Sequence, residues 1–371
     1  MRHLLAVNHA LMFAGIFKIN LCHSLIKLPV ISPSVPIPPR QWISIRPEGV
    51  YCAPGDFYID PFKPVPRAVV THGHADHARS GHGEVYATPE TLAIMAIRYG
   101  KDFTQRQHPV AYGTTVDVGQ TKVTLEPAGH ILGSAQAAIE YGGSRIVFSG
   151  DYKRHADPTC SAFRPVACDV FVTEATFGLP VFRHPPIQEE LKKLLVSLEL
   201  FPDRCHLIGV YALGKCQRVM MELRQLGYAK PFYVHGALVK LCQFYIESGY
   251  ELGEVIPVSD ADKKALGGEI VFAPPSALAD RWSRSFPNVM TCAASGWMQI
   301  RARAKQKLVE LPLVVSDHAD WPDLLRTLQE VGAPEVWITH GREDALVYQA
   351  EKMGLRTQVL SLLGYEDDDD S

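Results

Sequence analysis

A chain of 371 residues, 47% hydrophobic and 21% charged, exceeds one ordinary domain and has ample material for packed cores, so an unstructured or fibrous protein is excluded. Its formal net charge of −3 excludes a uniformly basic coat, but five acids form the terminal run Glu366, Asp367, Asp368, Asp369 and Asp370. Without those five charges −3 becomes +2, so the folded part is nearly neutral and charge matters only in local patches.

In chain order, residues 1–46 contain Arg2, Lys18, Lys27, Arg40 and Arg46 and no acid. The apolar stretch Leu4 to Phe17 has ingredients of a signal peptide, yet Asn8 and His9 interrupt it and no small-x-small cleavage site follows. It is also shorter than the roughly 20 apolar residues of a bilayer span, so no membrane association is expected. Residues 1–45 are therefore read as a disordered extension. The proline-rich stretch Leu28 to Pro39 blocks helix and ladder alike, and the folded unit should begin near Trp42. The eight cysteines, Cys22, Cys52, Cys160, Cys168, Cys205, Cys216, Cys242 and Cys292, have no Cys-x-x-Cys spacing, which points to a reducing, cytoplasmic setting.

Beyond Trp42 one pattern recurs: a short apolar run ends abruptly in a residue able to bind metal or move protons. The runs end at Asp60, His72, His130, Asp151, Glu174, His318 and His340. In a sandwich of sheets, the ends of neighbouring strands share a rim, so residues distant in sequence can converge there. A single histidine after a strand would mean little. Seven strand ends change the odds.

The densest cluster is Thr71-His72-Gly73-His74-Ala75-Asp76-His77, between a strand over Ala68 to Val70 and a helix expected from Ala75. Imidazole nitrogens with carboxylate oxygens suit zinc, and one metal would not use all four residues. His72 with His74 and Asp76 with His77 suit two adjacent ions. His130 can complete the first site, His340 the second, and Asp151 can bridge both.

His72-x-His74-x-Asp76-His77, His130 and Ser149-Gly150-Asp151 together resemble the signature of the metallo-β-lactamase superfamily. The resemblance covers about residues 46 to 365. It implies an α/β (α+β) fold, an αββα sandwich, with Asp60 as a structural acid behind the metal loop. The wide gap between Asp151 and His340 leaves room for a second domain. Glu174 in Thr173-Glu174-Ala175-Thr176-Phe177-Gly178, His318 in Ser316-Asp317-His318-Ala319-Asp320 and His340 in Thr339-His340-Gly341 resemble the extra motifs of the β-CASP nucleases. That likeness implies a sandwich over 46–179 and 316–365, an inserted β-CASP α/β cassette over 180–315, and an acidic tail over 366–371. Gly55-Asp56-Phe57-Tyr58-Ile59-Asp60-Pro61, Ser149-Gly150-Asp151-Tyr152-Lys153-Arg154 and Ser295-Gly296-Trp297-Met298 are similar to the bacterial ligase-associated DNA exonucleases, also described as mRNA 3′-end-processing-factor-like. The family name implies a DNA ligase and a helicase as partners. One departure lies in Gly214-Lys215-Cys216-Gln217-Arg218, where Cys216 and Arg218 replace an alanine and a glutamate, a change expected to touch only the cassette surface.

The chemistry follows from the residue types. Two zinc ions per chain, with manganese or iron able to occupy such sites, would lower the pKa of a shared water and neutralise phosphate oxygens. Asp76 and Asp151 serve both ligation and catalysis in this reading. His318 suits proton donation to the leaving oxygen, its rival role being a zinc ligand, and Glu174 would hold that imidazole. For substrate contact, Lys153 and Arg154 follow the bridging aspartate, while Lys215 and Arg218 follow the turn at Gly214. Arg281, Arg284, Arg301, Arg303, Lys305 and Lys307 surround Trp282 and Trp297, a combination suited to single-strand phosphates and bases. A solvated helix face is the alternative for the Arg301 to Lys307 stretch. His82, His108, His155, His184, His206 and His235 are expected in surface or packing roles, and Trp321, Trp337, Phe171 and Phe148 in the core. The leading function is a DNA exonuclease of repair and end processing. A ribonuclease or RNA 3′-end processing enzyme comes second and a non-catalytic scaffold third.

Overall fold

The structure, a computed structural model, describes residues 35–341 and 343–360. The expected extension up to residue 34 and the acidic tail from 366 lie outside the described residues. From Pro36 the chain already packs on the sandwich. The Ile37 amide donates to the Gly142 carbonyl at 2.9 Å, and the Ile37 carbonyl accepts from Ser144 Oγ at 2.6 Å and Trp42 Nε1 at 3.1 Å. Trp42 is buried and meets Tyr141 edge-on. This corrects the expectation of a disordered segment reaching residue 45. Proline forbids a regular ladder but not docking, once the intervening polar groups find partners in a neighbouring turn.

Strands β1 (Ile43–Arg46), β2 (Gly49–Cys52), β3 (Phe57–Ile59), β4 (Arg67–Val69) and β5 (His82–Ala87) are followed by helix α1 (Pro89–Tyr99) and β6 (Thr104–Pro109). These six strands form one sheet in sequence order. Thr88 caps α1 by accepting from the Thr91 amide, and Pro89 occupies the first turn, where a missing N–H is harmless. Strands β7 (Thr115–Val118), β8 (Thr121–Pro127), β9 (Ala135–Tyr141) and β10 (Ser144–Phe148) pair antiparallel, and β11 (Val170–Ala175) joins β10 in parallel.

The chain then builds a different unit: α2 (Ile187–Leu200), β12 (Cys205–Gly209), α3 (Lys215–Gln225), β13 (Phe232–Val234), α4 (Gly236–Glu247), β14 (Val255–Pro257), β15 (Ile270–Ala273), β16 (Val289–Ala294), α5 (Arg301–Gln306) and β17 (Leu311–Leu313). Its strands form an all-parallel sheet in the order β14-β13-β15-β12-β16-β17, as expected when helices connect successive strands. Finally α6 (Trp321–Val331), β18 (Glu335–Gly341), α7 (Glu343–Lys352) and β19 (Arg356–Val359) complete the second sheet, ordered β19-β18-β11-β10-β9-β8-β7.

Burial explains the layers. Val50, Phe57, Ile59 and Val69 of the first sheet meet Leu125, Ile139, Ile146, Val172 and Trp337 of the second. Each such fully buried side chain contributes on the order of 1.5–3 kcal/mol before entropy is counted. Leu92 and Met95 of α1 cover the outer face of the first sheet. Trp321, Leu324, Leu328, Leu346 and Ala350 cover that of the second, around the buried Phe171. The result is the αββα sandwich that the motifs implied. The cassette seats on it through Leu213, Cys216 and Met220, which share a core with Ile94, Ile131 and Leu132. That seat matters for function, because Ile131 follows His130 directly. Among the described residues no helix is long and apolar enough to cross a membrane, and the seven described cysteines are free thiols.

Candidate metal centre

Every strand-end residue singled out from the sequence arrives at one rim. His72 follows β4, His130 follows β8, Asp151 follows β10, Glu174 lies in β11 and His340 in β18. The helix expected from Ala75 does not form. The amides of His77 and Ala78 both turn back onto the His74 carbonyl, and Gly81 soon afterwards adopts φ +93°. One turn without propagation is not a stable helix, and here it points His74, Asp76 and His77 into a common cavity.

Asp60 organises this loop from behind. Its Oδ1 accepts from the Thr71 amide at 2.7 Å, and its Oδ2 accepts from Thr71 Oγ1 at 2.6 Å and lies 2.8 Å from His77 Nδ1. Thr71 Oγ1 in turn lies 3.1 Å from His72 Nδ1. One carboxylate thereby orients two imidazoles, directing both Nε2 atoms to the front. Asp60 itself has φ +42°, a left-handed conformation that a non-glycine residue adopts only when its surroundings hold it. In front, Asp151 Oδ2 is central: it lies 3.4 Å from His72 Nε2, 3.4 Å from His77 Nε2 and 3.8 Å from His130 Nε2. Gly150 permits this approach, since a Cβ there would meet Thr71 at 2.9 Å and its φ is +55°.

The donor set fits bound cations. His130 Nδ1 lies 2.8 Å from the Asp317 carbonyl and His74 Nε2 lies 3.2 Å from the Leu213 carbonyl. A carbonyl only accepts, so both nitrogens carry the hydrogen. Burial, reinforced by neighbouring imidazoles, pushes His74 down to about 3 and His130 well below the usual range, so both rings are neutral. Their remaining nitrogens, His130 Nε2 and His74 Nδ1, are then bare lone pairs facing each other at 3.0 Å. A cation relieves that repulsion. Buried His72 Nε2 and Asp76 Oδ1 also lack a hydrogen-bond partner among the described residues. Ligand atoms of His72, His74, His130 and Asp151 lie within 4.8 Å of one another, as do those of His72, Asp76 and His77. His72 thus belongs to both groups rather than to the first alone.

His340 stands beside the second group, its ring centroid 5.3 Å from that of His77. Two features aim it: φ +56° at His340 itself, and a bulge opposite Glu174 and Ala175 in the β11–β18 pairing. Gly341 is obligatory at that bulge, because a Cβ would meet the Ala175 carbonyl at 2.3 Å.

Above the cluster, His318 Nδ1 lies 2.9 Å from Glu174 Oε2, and the other oxygen of Glu174 accepts from the Tyr152 amide at 2.7 Å. Burial opposes charge on His318, but the Glu174 carboxylate outweighs it and lifts the imidazole to about 9. The pairing favours the charged form of His318, on a ring oriented by a carboxylate that the backbone holds still.

The basic residues divide differently from the expectation. Lys153 is buried and paired with Asp157. Arg154 pairs with Glu330, donates to Thr327 Oγ1 at 3.1 Å and lies over Phe163. Arg218 is buried between Asp157 and Asp317. Lys153 and Arg218 are enclosed by carboxylates, and Arg154 is held by Glu330, Thr327 and Phe163, so none of the three presents a free cation to a strand. The Cys216 and Arg218 departure is likewise not a surface matter, both side chains being buried. Lys215 does line the cavity, 4.6 Å above the Tyr211 ring and 3.8 Å from Asp317 Oδ2. Arg301 is exposed, and Arg303 stacks 4.0 Å over Trp297, which also lines the cavity. Trp282 belongs elsewhere, packed on His235 and Phe286. Thr71, Asp157 and Asp317 escaped the sequence reading. Thr71 and Asp317 lay inside quoted motifs, but nothing in a motif says which neighbour's hydroxyl or carbonyl will orient an imidazole.

No protein-family profile matches the chain. It is 28% identical to a "Probable DNA ligase" of Opitutus terrae, over 84% of this chain and 30% of that protein. It is 28% identical to Endoribonuclease ysh-1 of Neurospora crassa over 48% of this chain and 26% of that one. It is 25% identical to cleavage and polyadenylation specificity factor subunit 3 of Dictyostelium discoideum over 80% and 48%. The chain thus spans less than half the length of these curated relatives. A crystal structure of a protein of unknown function from Enterococcus faecalis shares the fold, with a TM-score of 0.54 at 16% identity over 81% of this chain and 80% of that one. The strand-end cluster, the sandwich with its inserted parallel sheet and these relatives together make the chain similar to metallo-β-lactamase superfamily proteins of the β-CASP branch.

Proposed function

We propose that the protein is a metal-dependent nuclease that hydrolyses phosphodiester bonds, acting as a DNA exonuclease in end processing and repair. The observation that carries this reading is the meeting of two functions in one cavity: a cluster of bare imidazole nitrogens and carboxylates below, and an imidazole paired with a carboxylate above. His72, His74, Asp76, His77, His130, Asp151 and His340 would hold two zinc ions per chain, with manganese an accepted substitute in such a donor set. Bound there, the ions supply a water of lowered pKa and neutralise the charge of the attacked phosphate. The chain's own residues do the rest. Asp60 and Thr71 keep His72 and His77 aimed, and the carbonyls of Asp317 and Leu213 set the tautomers of His130 and His74. His318 gives its proton to the leaving oxygen while Glu174 stabilises the charged ring before transfer. Lys215 and Trp297 line the cavity where the strand's next phosphates and bases would lie, and Arg303 stacks on Trp297 beside it.

DNA is favoured because the relative named for DNA ligation matches 84% of this chain, and that joining of names makes a DNA ligase, with a helicase, the proposed partner. RNA 3′-end processing is the second reading, favoured by relatives named as endoribonucleases. The test is digestion of end-labelled single-stranded DNA and RNA of matched sequence, with zinc or manganese. A ladder of shortened DNA supports the first reading and gives its polarity. Preferential RNA cleavage supports the second, and no cleavage of either strand by metal-loaded protein overturns both in favour of a scaffold.

A further inference from the structure

The buried cations of the cassette grip the active site from outside it. Arg218, the fourth residue of α3, is 4% exposed and reaches two other segments. Its Nη1 donates to the Ser316 carbonyl at 2.6 Å and to Asp317 Oδ1 at 3.3 Å, and its Nε lies 3.4 Å from Asp157 Oδ2. Asp157, in the loop that follows Asp151, is fixed in turn by Lys153 Nζ and by the amide and hydroxyl of Thr159 at 2.8 and 2.6 Å. Lys215 Nζ approaches the other oxygen of Asp317 at 3.8 Å. Three cations and two carboxylates thus tie α3, the loop after β10 and the strand that returns from the cassette into one buried network.

What the network holds is the turn Ser316-Asp317-His318, and each of its residues touches the site. The Asp317 carbonyl accepts from His130 Nδ1 at 2.8 Å, which leaves His130 Nε2 bare and aimed at the cluster. His318 leans on Glu174. Ser316 Oγ closes the turn, accepting from the His318 amide at 3.1 Å. A buried charge network of this kind adds little net stability compared with apolar packing, but it specifies geometry, and loss of one member leaves the others unpaired.

We propose that Arg218 is a positioning residue for phosphodiester cleavage: from the cassette it clamps the Ser316–His318 turn, so that the Asp317 carbonyl keeps His130 aimed and His318 stays against Glu174. The inference rests on the nuclease reading above. It also gives the departure at position 218 a reason. A glutamate there would set a third carboxylate against Asp157 and Asp317, whereas the arginine neutralises both.

The test compares Arg218→Gln, Arg218→Lys and Asp157→Asn with the wild type, using zinc-loaded full-length protein and a single-stranded oligonucleotide. Arg218→Gln should lower kcat at least about tenfold with KM nearly unchanged, and should release zinc to a chelator about tenfold faster, as loss of support behind a ligand does. Arg218→Lys, which keeps the charge but not the fork, should recover part of both. A folded Arg218→Gln protein with wild-type kcat and zinc release overturns the proposal. So does a loss confined to KM, which would make Arg218 a substrate contact. Should Arg218→Gln fail to fold, Asp157→Asn carries the test by the same criteria. If the wild type cleaves neither DNA nor RNA, the nuclease reading fails, and zinc release alone decides the clamp.

Discussion

The rim of the sandwich and the underside of the cassette both bury charged and polar groups, but they balance them in opposite ways. At the rim, His72 Nε2 and Asp76 Oδ1 have no hydrogen-bond partner among the described residues, and two bare nitrogens face each other at 3.0 Å. Under the cassette, Lys153 and Arg218 are matched by Asp157 and Asp317, with Arg218 within 3.4 Å of both carboxylates. Buried polarity that the chain leaves unmatched marks a place for something the chain does not supply. Buried charge that the chain matches itself marks architecture. Both regions looked equally suited to a ligand when only residue types were visible.

The largest expected effect lies at the centre of the unmatched region. Asp151→Ala should reduce cleavage of an end-labelled strand by on the order of 10³-fold, about 4 kcal/mol of barrier, with the circular dichroism spectrum unchanged. If cleavage persists, the rim is not the catalytic region and the comparison collapses. Next comes His318→Ala, which should lower kcat by on the order of 10²-fold or more while zinc content, read by elemental analysis, stays at the wild-type value. Loss of zinc instead would move His318 into the ligand set. The same residue sets a pH test. In the proposed role His318 would act while protonated, so kcat should fall as pH rises through its pKa, which Glu174 lifts to about 9 in the metal-free site and which bound cations would lower. Glu174→Gln removes that lift and should move the alkaline limb of the kcat profile to lower pH. An unmoved limb assigns the limb to another group.

Smaller effects sharpen the boundary between the two regions. Asp60→Asn, which removes the carboxylate shared by His77 and Thr71, should weaken zinc binding by about 10–100-fold in a chelator competition. The smallest effect separates exposed cations from matched ones. Arg301→Ala should lower the salt dependence of single-strand binding by about 0.7 in slope if it meets a phosphate. Arg154→Ala should leave that slope alone and instead lower stability by about 1 kcal/mol, seen in the thermal midpoint, because its partners are Glu330, Thr327 and Phe163. Equal slopes for the two variants would mean that matched charge still attracts substrate, against the distinction drawn above.

Much of the rim was legible because its signal is local. A β-branched run ending in His, Asp or Glu records both the strand and what its end presents, as at Val69 to His72 or Val172 to Glu174. The helix expected at Ala75 ends after the single turn closed on the His74 carbonyl, before Gly81 with its φ of +93°. Arg154 and Arg218 were misread because a basic side chain looks the same whether a carboxylate stands behind it or not. Trp282 and Trp297, neighbours in a sequence patch, were separated by the fold into the far edge of the cassette and the wall of the cavity.

By itself, then, the sequence presented the strand ends and the candidate ligand types, because an apolar run and the residue that ends it are written within a few positions of one another, and the sandwich with its inserted cassette followed from the family that those motifs resemble. Only the tertiary structure decided which nitrogen of each imidazole is bare, which cations are spent on Asp157 and Asp317, and how the Ser316–His318 turn meets His130. Those outcomes depend on carbonyls and carboxylates that lie up to 187 residues away along the chain and come within hydrogen-bond reach only after folding.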